Sequence, residues 1–287
     1  MPELPEVETI RRQLAPALEG RRLRDVEVLD PRWCEPAPPE AVEDASRGRR
    51  IERVGRRGKY LVASLEDDVH LAMHLRMTGN LLLLQEGQEE PTHLRVRMTL
   101  DSGERLCFVD VRRFGTGVVL LGGDAVEEYF RGRLGIEPLS PDFTTDALRS
   151  LARGRRAPVK AFLLTQERIA GVGNIYADEA LFRAKIHPLR PVGQLRRGQI
   201  EALREAVVAT LLAGIDAKGA TIDDFRNSDG SSGAFQERFL VYSREGEPCP
   251  RCGRAIRKLR VAGRGTYVCE HCQPRPRIRR AAPVAVS

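Results

Sequence analysis

Two Cys-x-x-Cys pairs near the C-terminus constrain this chain more than any other feature. They are Cys249-Pro250-Arg251-Cys252 and Cys269-Glu270-His271-Cys272, with sixteen residues between them. Four thiolates at this spacing suit one tetrahedral Zn2+ gripped by two turns. His271 is a competing ligand. A shell filled entirely by protein makes the metal structural, because no position is left for water or substrate. The chain has six cysteines and no apolar leader, so metal and free thiols are expected rather than disulfides. Cys34 and Cys107 fall outside the pattern and read as small buried side chains.

Between the two knuckles run Arg254, Arg257, Lys258, Arg260 and Arg264, a basic hairpin suited to phosphate. The whole chain leans the same way, with a formal net charge of +7 and a pI near 9.3. That balance points to a polyanionic partner, above all nucleic acid. At 287 residues there is room for two or three domains with real cores. No apolar run approaches a membrane span, so a cytosolic protein is expected.

At the other end the chain opens Pro2-Glu3-Leu4-Pro5-Glu6. A terminal amine has a pKa of roughly 8, against about 10.4 for lysine. If Met1 is removed, Pro2 presents a secondary amine that is partly neutral near pH 7. Such an amine can attack an electrophilic sugar carbon and form an iminium. Glu3 stands beside it as a candidate acid or base. Pro5 suits the first position of a helix, with Glu6 and Glu8 in its first turn and Arg11 and Arg12 further on. Ile10, Leu14 and Leu18 recur at helical spacing. Taken alone, the same residues also read as a frayed terminus before a proline-capped helix.

The middle of the chain is read in order. Leu23, Val26 and Val28 suggest a strand, and a proline-rich loop from Pro31 to Pro39 follows. Arg49 to Leu84 reads as several strands, with Ile51, Val54, Tyr60, Val62 and Leu65 spaced for sheet faces, and Lys59 at a strand start lies either beside a phosphate or an active site or in a solvated basic turn. Leu94 to Phe108 alternates around Asp101-Ser102-Gly103 as a hairpin with one buried face. It leads into Arg112-Arg113-Phe114, either a DNA-probing loop or an edge strand with a buried Phe. Beyond Gly132 the pattern turns helical. Candidates are Asp142–Arg153, capped by Thr145, then Val159–Gln166, then a turn Gly171-Val172-Gly173-Asn174 into a helix reaching Phe182. That turn offers backbone N–H groups to a phosphate. Ile200, Leu203, Val207, Leu211 and Ile215 mark a longer helix with a core-facing stripe. Residues 219–236 are polar and rich in Gly and Ser, either a loop that closes on a ligand or a linker. The tail from Pro274 to Ser287 is basic and is expected to be disordered.

In their order along the chain, PELPEVET, RRGKYL, HLRMTG, DVRRFG, GVGNIYADEALF, SDGSSGAFQ, VYSREGEPCPRCG and GRGTYVCEHC resemble the formamidopyrimidine-DNA glycosylase family over nearly the whole sequence. The resemblance implies an α+β multidomain fold: an N-terminal β-sandwich with a flanking helix, a helix–two-turn–helix domain and a C-terminal zinc finger. The corresponding segments are 1–134, 135–244 with a lesion loop at 219–236, 245–273, and a tail at 274–287. It implies a monomer that binds double-stranded DNA in the cleft between its domains and excises oxidised purines. Pro2 would be the nucleophile, Glu3 the acid for sugar-ring opening, and Lys59 and Arg264 catalytic phosphate contacts. His93 and Asn174 would bind DNA. Met77, Arg112 and Phe114 would fill the space left by the extruded base. Cys249, Cys252, Cys269 and Cys272 would hold one Zn2+.

The sequence departs from the family pattern at three places. Val111 stands where Pro is usual, Arg76 where Gly is common, and Lys218-Gly219-Ala220-Thr221 replaces a Gly-Gly-Thr-Thr-like run. All three bear on lesion preference. The alternatives are an endonuclease VIII-like enzyme for oxidised pyrimidines and a zinc-stabilised DNA-binding relative without catalysis.

Overall fold

The computed structural model describes residues 1–221, 228 and 230–276. Most of the run Asn227–Gly233 lies within that description, but Asn227 and Asp229 do not, nor do Arg277, Arg279 and Arg280 of the tail. The chain divides into two compact units. The first comprises residues 1–143, 165–173 and 208–238, and the second comprises 144–164, 174–207 and 239–287.

The first unit is a β-sandwich with a helix against it. Helix α1 (Leu4–Leu18) packs on strand β2 (Ile51–Arg57). One sheet has the order β1-β6-β7-β5, formed by Leu23–Val28, Leu94–Leu100, Arg105–Asp110 and Gly79–Leu84. The other has the order β2-β3-β4-β8, where β3 is Tyr60–Leu65, β4 Val69–His74 and β8 Thr116–Leu121. All these pairings are antiparallel. Val7, Ile10 and Leu14 of α1 join Leu61, Leu71, Val96, Met98 and Phe108 in one core. Alternation of buried side chains along the strands is what closes the two inner faces on each other. The expected hairpin at Leu94–Phe108 is present as β6–β7.

Several expectations need correction. Helix α1 begins at Leu4, so Pro5 is its second residue and Glu3 its N-cap. Arg11 and Arg12 do not serve the helix C-terminus, since both pair with Glu8 at 2.8 Å. The proline-rich stretch is not a loop throughout. A 3-10 turn covers Pro31–Trp33, and helix α2 runs Pro39–Ser46. Pro39 is its first residue, where a missing N–H costs nothing. Helix α3 (Gly123–Phe130) precedes the point at which helical pattern was expected. Phe114 lies neither in a strand nor buried: it is 51% exposed in the loop before β8.

The second unit holds helices α4 (Thr145–Ala152), α5 (Val159–Leu164) and α6 (Asn174–Arg183). Thr144, not Thr145, caps α4, its side chain accepting from the Ala147 amide at 3.1 Å. Helix α7 (Arg197–Asp216) starts in the second unit and ends in the first. Ile200, Leu203, Val207, Leu211 and Ile215 are all buried along it, as the stripe required. Strands β9 (Arg257–Val261) and β10 (Arg264–Val268) make a hairpin. Its two-residue turn, Ala262-Gly263, has positive φ at both positions (49° and 75°), the geometry that a right-twisted hairpin demands.

Candidate active site and metal centre

Pro2 is buried at the entrance to α1, and Glu3 is 2% exposed. The positive end of the helix lies at Pro2. Three contacts fix this turn. The Leu4 amide donates to Gly171 O at 3.1 Å. The Glu3 amide donates to Glu6 Oε2 at 2.8 Å. The Glu3 carboxyl packs on Gly173 so closely that a Cβ there would lie 2.2 Å from Glu3 Cδ. Gly171, at φ 84°, is likewise pressed on Leu4. Gln166 staples this loop by accepting from Gly171 N at 2.9 Å and donating to Val172 O at 2.8 Å. The two glycines of the Gly-Val-Gly run therefore give room to Glu3 and Leu4.

Lys59 is 6% exposed at the turn between β2 and β3. The turn is clamped by Glu137, which accepts from Gly58 N at 2.5 Å and from Arg56 at 3.0 Å. Arg56 also reaches Glu8 at 3.2 Å. Burial pushes the Glu8 carboxyl up, but hydrogen bonds from Arg11 and Arg12 with the charges of Arg11 and Arg56 more than offset it, so its pKa is lowered. His74, at the end of β4, is pushed down to about 3 by burial and by the charges of Arg76 and Lys59. It is therefore a neutral imidazole at pH 7. Its Nδ1 accepts the Arg76 amide at 2.9 Å, and its ring meets Tyr60 edge-on at 4.5 Å.

The segment 110–115 is organised by one buried carboxylate. Asp110, 1% exposed, accepts from Thr78 Oγ1 (2.5 Å), Arg112 N (3.2 Å) and Gly115 N (2.6 Å). Its own amide donates to His93 O at 3.0 Å. Asp110 thus joins the Met77 turn, the Arg112–Phe114 loop and His93. Arg112 and Phe114 are both exposed, with the guanidinium 4.9 Å from the ring centroid. Arg113 turns the other way, doubly bonded to Asp30 at 2.6 and 2.7 Å. That hydrogen-bonded guanidinium holds the Asp30 carboxyl below the usual carboxylate range. Arg113 and Arg76 both adopt positive φ, 60° and 54°. At Arg76 this accounts for the glycine common there in the family.

The segment before residue 222 is also tied to the N-terminus. Glu6 Oε1 accepts from Ala220 N at 2.8 Å, so a single carboxylate serves both Glu3 and Ala220. Further along, Gln13 Oε1 accepts from the Ser228 amide and hydroxyl at 3.1 and 3.0 Å.

In the second unit, Asn174 opens α6, and its Nδ2 donates to Gly265 O at 3.1 Å. Lys160 Nζ donates to the same carbonyl at 3.0 Å and to Thr266 Oγ1 at 2.8 Å. Its third partner is Asp178 at 2.7 Å, both side chains being 0% exposed. Burial pushes Asp178 up, to about 7, against the pull of Lys160. Asp178 Oδ2 in turn accepts from Tyr267 N at 2.9 Å. Next along α6, Glu179 accepts from the amides of Leu240, Val241 and Tyr242 at 2.9–3.0 Å. Residues 265–267 of β10 are therefore pinned to α5 and α6, and Arg264 stands exposed just before them.

The four cysteine Sγ atoms lie within 4.8 Å of one another. Cys252–Cys269 and Cys249–Cys272 are 3.5 and 3.9 Å apart. Thiolates about 2.3 Å from a tetrahedral Zn2+ sit about 3.8 Å apart, close to both of these separations. His271 is not in the cluster. The Arg251 amide donates to Cys249 Sγ at 3.4 Å, an outer bond that orients the ligand. Gln273 is fully buried and links Cys269 N to Ile186 O.

Sequence reasoning missed the clamps: Glu6, Glu137, Asp110, Lys160, Asp178 and Glu179. The signal available for three of them was a charge inside an apolar helix, as in VKAFLL and IYADEALF.

Residues 1–117 match the formamidopyrimidine-DNA glycosylase N-terminal domain, 134–226 the H2TH domain of the same enzymes, and 246–275 the zinc finger found in FPG and IleRS. The chain is 46% identical to the formamidopyrimidine-DNA glycosylase of Chloroflexus aurantiacus, over 95% of this chain and 98% of that one. This chain belongs to the formamidopyrimidine-DNA glycosylase family. Among solved members, a point mutant of the Lactococcus lactis enzyme bound to Fapy-dG-containing DNA superposes with a TM-score of 0.89 at 37% identity, covering 96% of this chain and all of the other. The same enzyme bound to DNA with an abasic site gives 0.88 at 37% identity, over 95% of this chain and all of the other. Family membership and the clustering of the four thiols together make the metal one structural zinc.

Proposed function

We propose that this chain is a bifunctional DNA glycosylase and AP lyase that removes oxidised purines, 8-oxoguanine and formamidopyrimidines, from duplex DNA. The observation that carries the reading is the buried Pro2–Glu3 pair at the positive end of a fifteen-residue helix. Removal of the exposed Met1 leaves Pro2 with a secondary amine. The amine lone pair attacks C1′ of the damaged nucleotide, the C1′–base bond breaks with its electrons leaving on the base, and the base takes up the proton released from the Pro2 nitrogen. Glu3 gives a proton to the ring oxygen as the sugar opens, and the product is an iminium between Pro2 and C1′. The iminium makes the C2′ proton acidic. Loss of that proton expels the 3′-phosphate by β-elimination, and δ-elimination then expels the 5′-phosphate.

The remaining roles follow the same reading. Lys59, Asn174 and Arg264 contact phosphates around the lesion, with His93 in support. Met77, Arg112 and Phe114 fill the gap left by the flipped nucleotide, with Arg112 facing the orphaned base. Zinc shapes the hairpin that carries Arg264 and takes no part in the chemistry. The functional segments are 1–134, 135–244, 245–273 and a tail, 274–287, and the site of action is chromosomal DNA in the cytoplasm. Among the described residues, no helix is long and apolar enough to cross a membrane.

Glu3→Gln tests the assignment of the acid. Binding to lesion DNA should stay near that of the parent chain, while base excision falls by about a hundredfold or more. Normal turnover in this variant would remove Glu3 from the mechanism.

A further inference from the structure

Met77 and the pair Arg112 and Phe114 sit on two different crossings of the sandwich. Residues 75–78 lead from β4 in one sheet to β5 in the other, and residues 111–115 lead from β7 back to β8. The crossings stand side by side, with His74 paired to Thr116 at one end and Gly79 paired to Asp110 at the other. Between those two pairs, no backbone–backbone hydrogen bond among the described residues joins one crossing to the other. Their hydrogen-bonded link is one side chain, Thr78. Its hydroxyl donates to Asp110 Oδ1 at 2.5 Å and accepts from the Arg112 amide at 3.1 Å. A hydroxyl has one proton to give and lone pairs to receive, and Thr78 uses both across the gap. The Arg112 amide also reaches Asp110 Oδ1 at 3.2 Å, so the three groups close a triangle. Asp110 is 1% exposed, which strengthens bonds to its carboxylate. Deleting the hydroxyl removes two of the three sides.

The other bonds of the loop act elsewhere. Gly115 N is held by Asp110 Oδ2 at 2.6 Å, and the Arg113 side chain by Asp30. Neither holds residue 112, which would meet the orphaned base. A guanidinium carries five donors and no acceptor. Cytosine offers it two adjacent acceptors, whereas adenine offers one acceptor beside an amino group that is itself a donor. Telling the two apart needs the guanidinium at a fixed height and angle, and Thr78 ties its backbone to the turn that carries Met77. We propose that Thr78 is a positioning residue that makes Met77 and Arg112 probe the duplex as one unit, and so sets how strongly the base opposite the lesion is discriminated. The inference rests on the roles given above to Met77 and Arg112.

The test is a ratio measured on the full-length, zinc-loaded chain: kcat/KM for excision of 8-oxoguanine opposite cytosine, divided by that opposite adenine. Thr78→Val keeps the side-chain shape and deletes the hydroxyl, and Thr78→Ser keeps the hydroxyl. The ratio should fall about tenfold in T78V, through loss of a well-placed paired contact, and stay within about twofold of the parent in T78S. Each ratio compares two substrates on one preparation, so a partly unfolded fraction of a variant cancels from it. A T78V ratio equal to that of the parent would overturn the inference, as would a T78S ratio that falls as far as that of T78V. A parent chain that excises from neither duplex would overturn the functional reading itself, and this inference with it.

Discussion

Pro2 and Glu3 lie buried in the first unit, whereas Arg264 stands exposed at a hairpin turn in the second. The two regions hold their functional residues by different means. The N-terminal turn is fixed by backbone packing and one carboxylate: Gly171 O, the close face of Gly173, and Glu6. The hairpin is fixed by charge and metal: Lys160–Asp178 beneath it and four thiolates beyond it. The difference suits the tasks proposed for Pro2 and Arg264. A nucleophile must sit within tenths of an ångström of one carbon, in a site from which water is excluded. A phosphate contact needs a long, solvated cation on a stable platform. Tight glycine packing suits the first, and a cross-linked hairpin suits the second.

The largest expected effect comes from breaking the second region. Chelation of zinc, or Cys252→Ser, should disorder the hairpin and abolish DNA binding, because metal affinity here is folding energy. Filter binding with a lesion duplex checks this. Full affinity in the metal-free protein would mean that Arg264 needs no metal platform.

Breaking the first region should act on chemistry instead. Gly173→Ala places a methyl 2.2 Å from the Glu3 carboxyl carbon, so the buried carboxyl must shift. Excision should fall by about two orders of magnitude, with DNA binding reduced far less. Parallel losses of binding and excision would show that the two regions are not separable in this way.

The smallest effect concerns pH. The folded pKa of His74 lies near 3, below its ordinary value of 6.5. Stability from the neutral ring is therefore complete above about pH 6.5 and is lost as pH falls toward 3, by at most about 1.4 kcal/mol per pH unit. His74→Phe should flatten the acid limb of the unfolding curve for the first unit and leave unfolding of the zinc hairpin unchanged. An unchanged limb would assign the acid sensitivity to other groups.

The legibility of the sequence divides along similar lines. Features with short spacing could be read directly: the Cys set, the β6–β7 hairpin, the turn into α6 and the stripe of α7. Each of these encodes its partner within a few residues or a fixed period. The clamps could not be read, because their partners lie far away in sequence. Glu6 meets Ala220 across 214 positions, Gly58 meets Glu137 across 79, and Lys160 meets Thr266 across 106. Helix α2 was hidden by composition: three prolines precede it closely, and the last of them is its N-cap, with Pro39 following as its first residue. Phe114 could be read either as wedge or as core. Its exposure follows from Asp110, whose three accepted hydrogen bonds turn the chain outward.

Borohydride trapping on a duplex carrying 8-oxoguanine opposite cytosine tests the central claim most directly, with the adduct mapped by peptide mass. The account predicts a covalent protein–DNA adduct at the Pro2 amine, absent from a form that retains Met1. An adduct on a lysine, or none on this duplex while an oxidised pyrimidine is trapped efficiently, would contradict it.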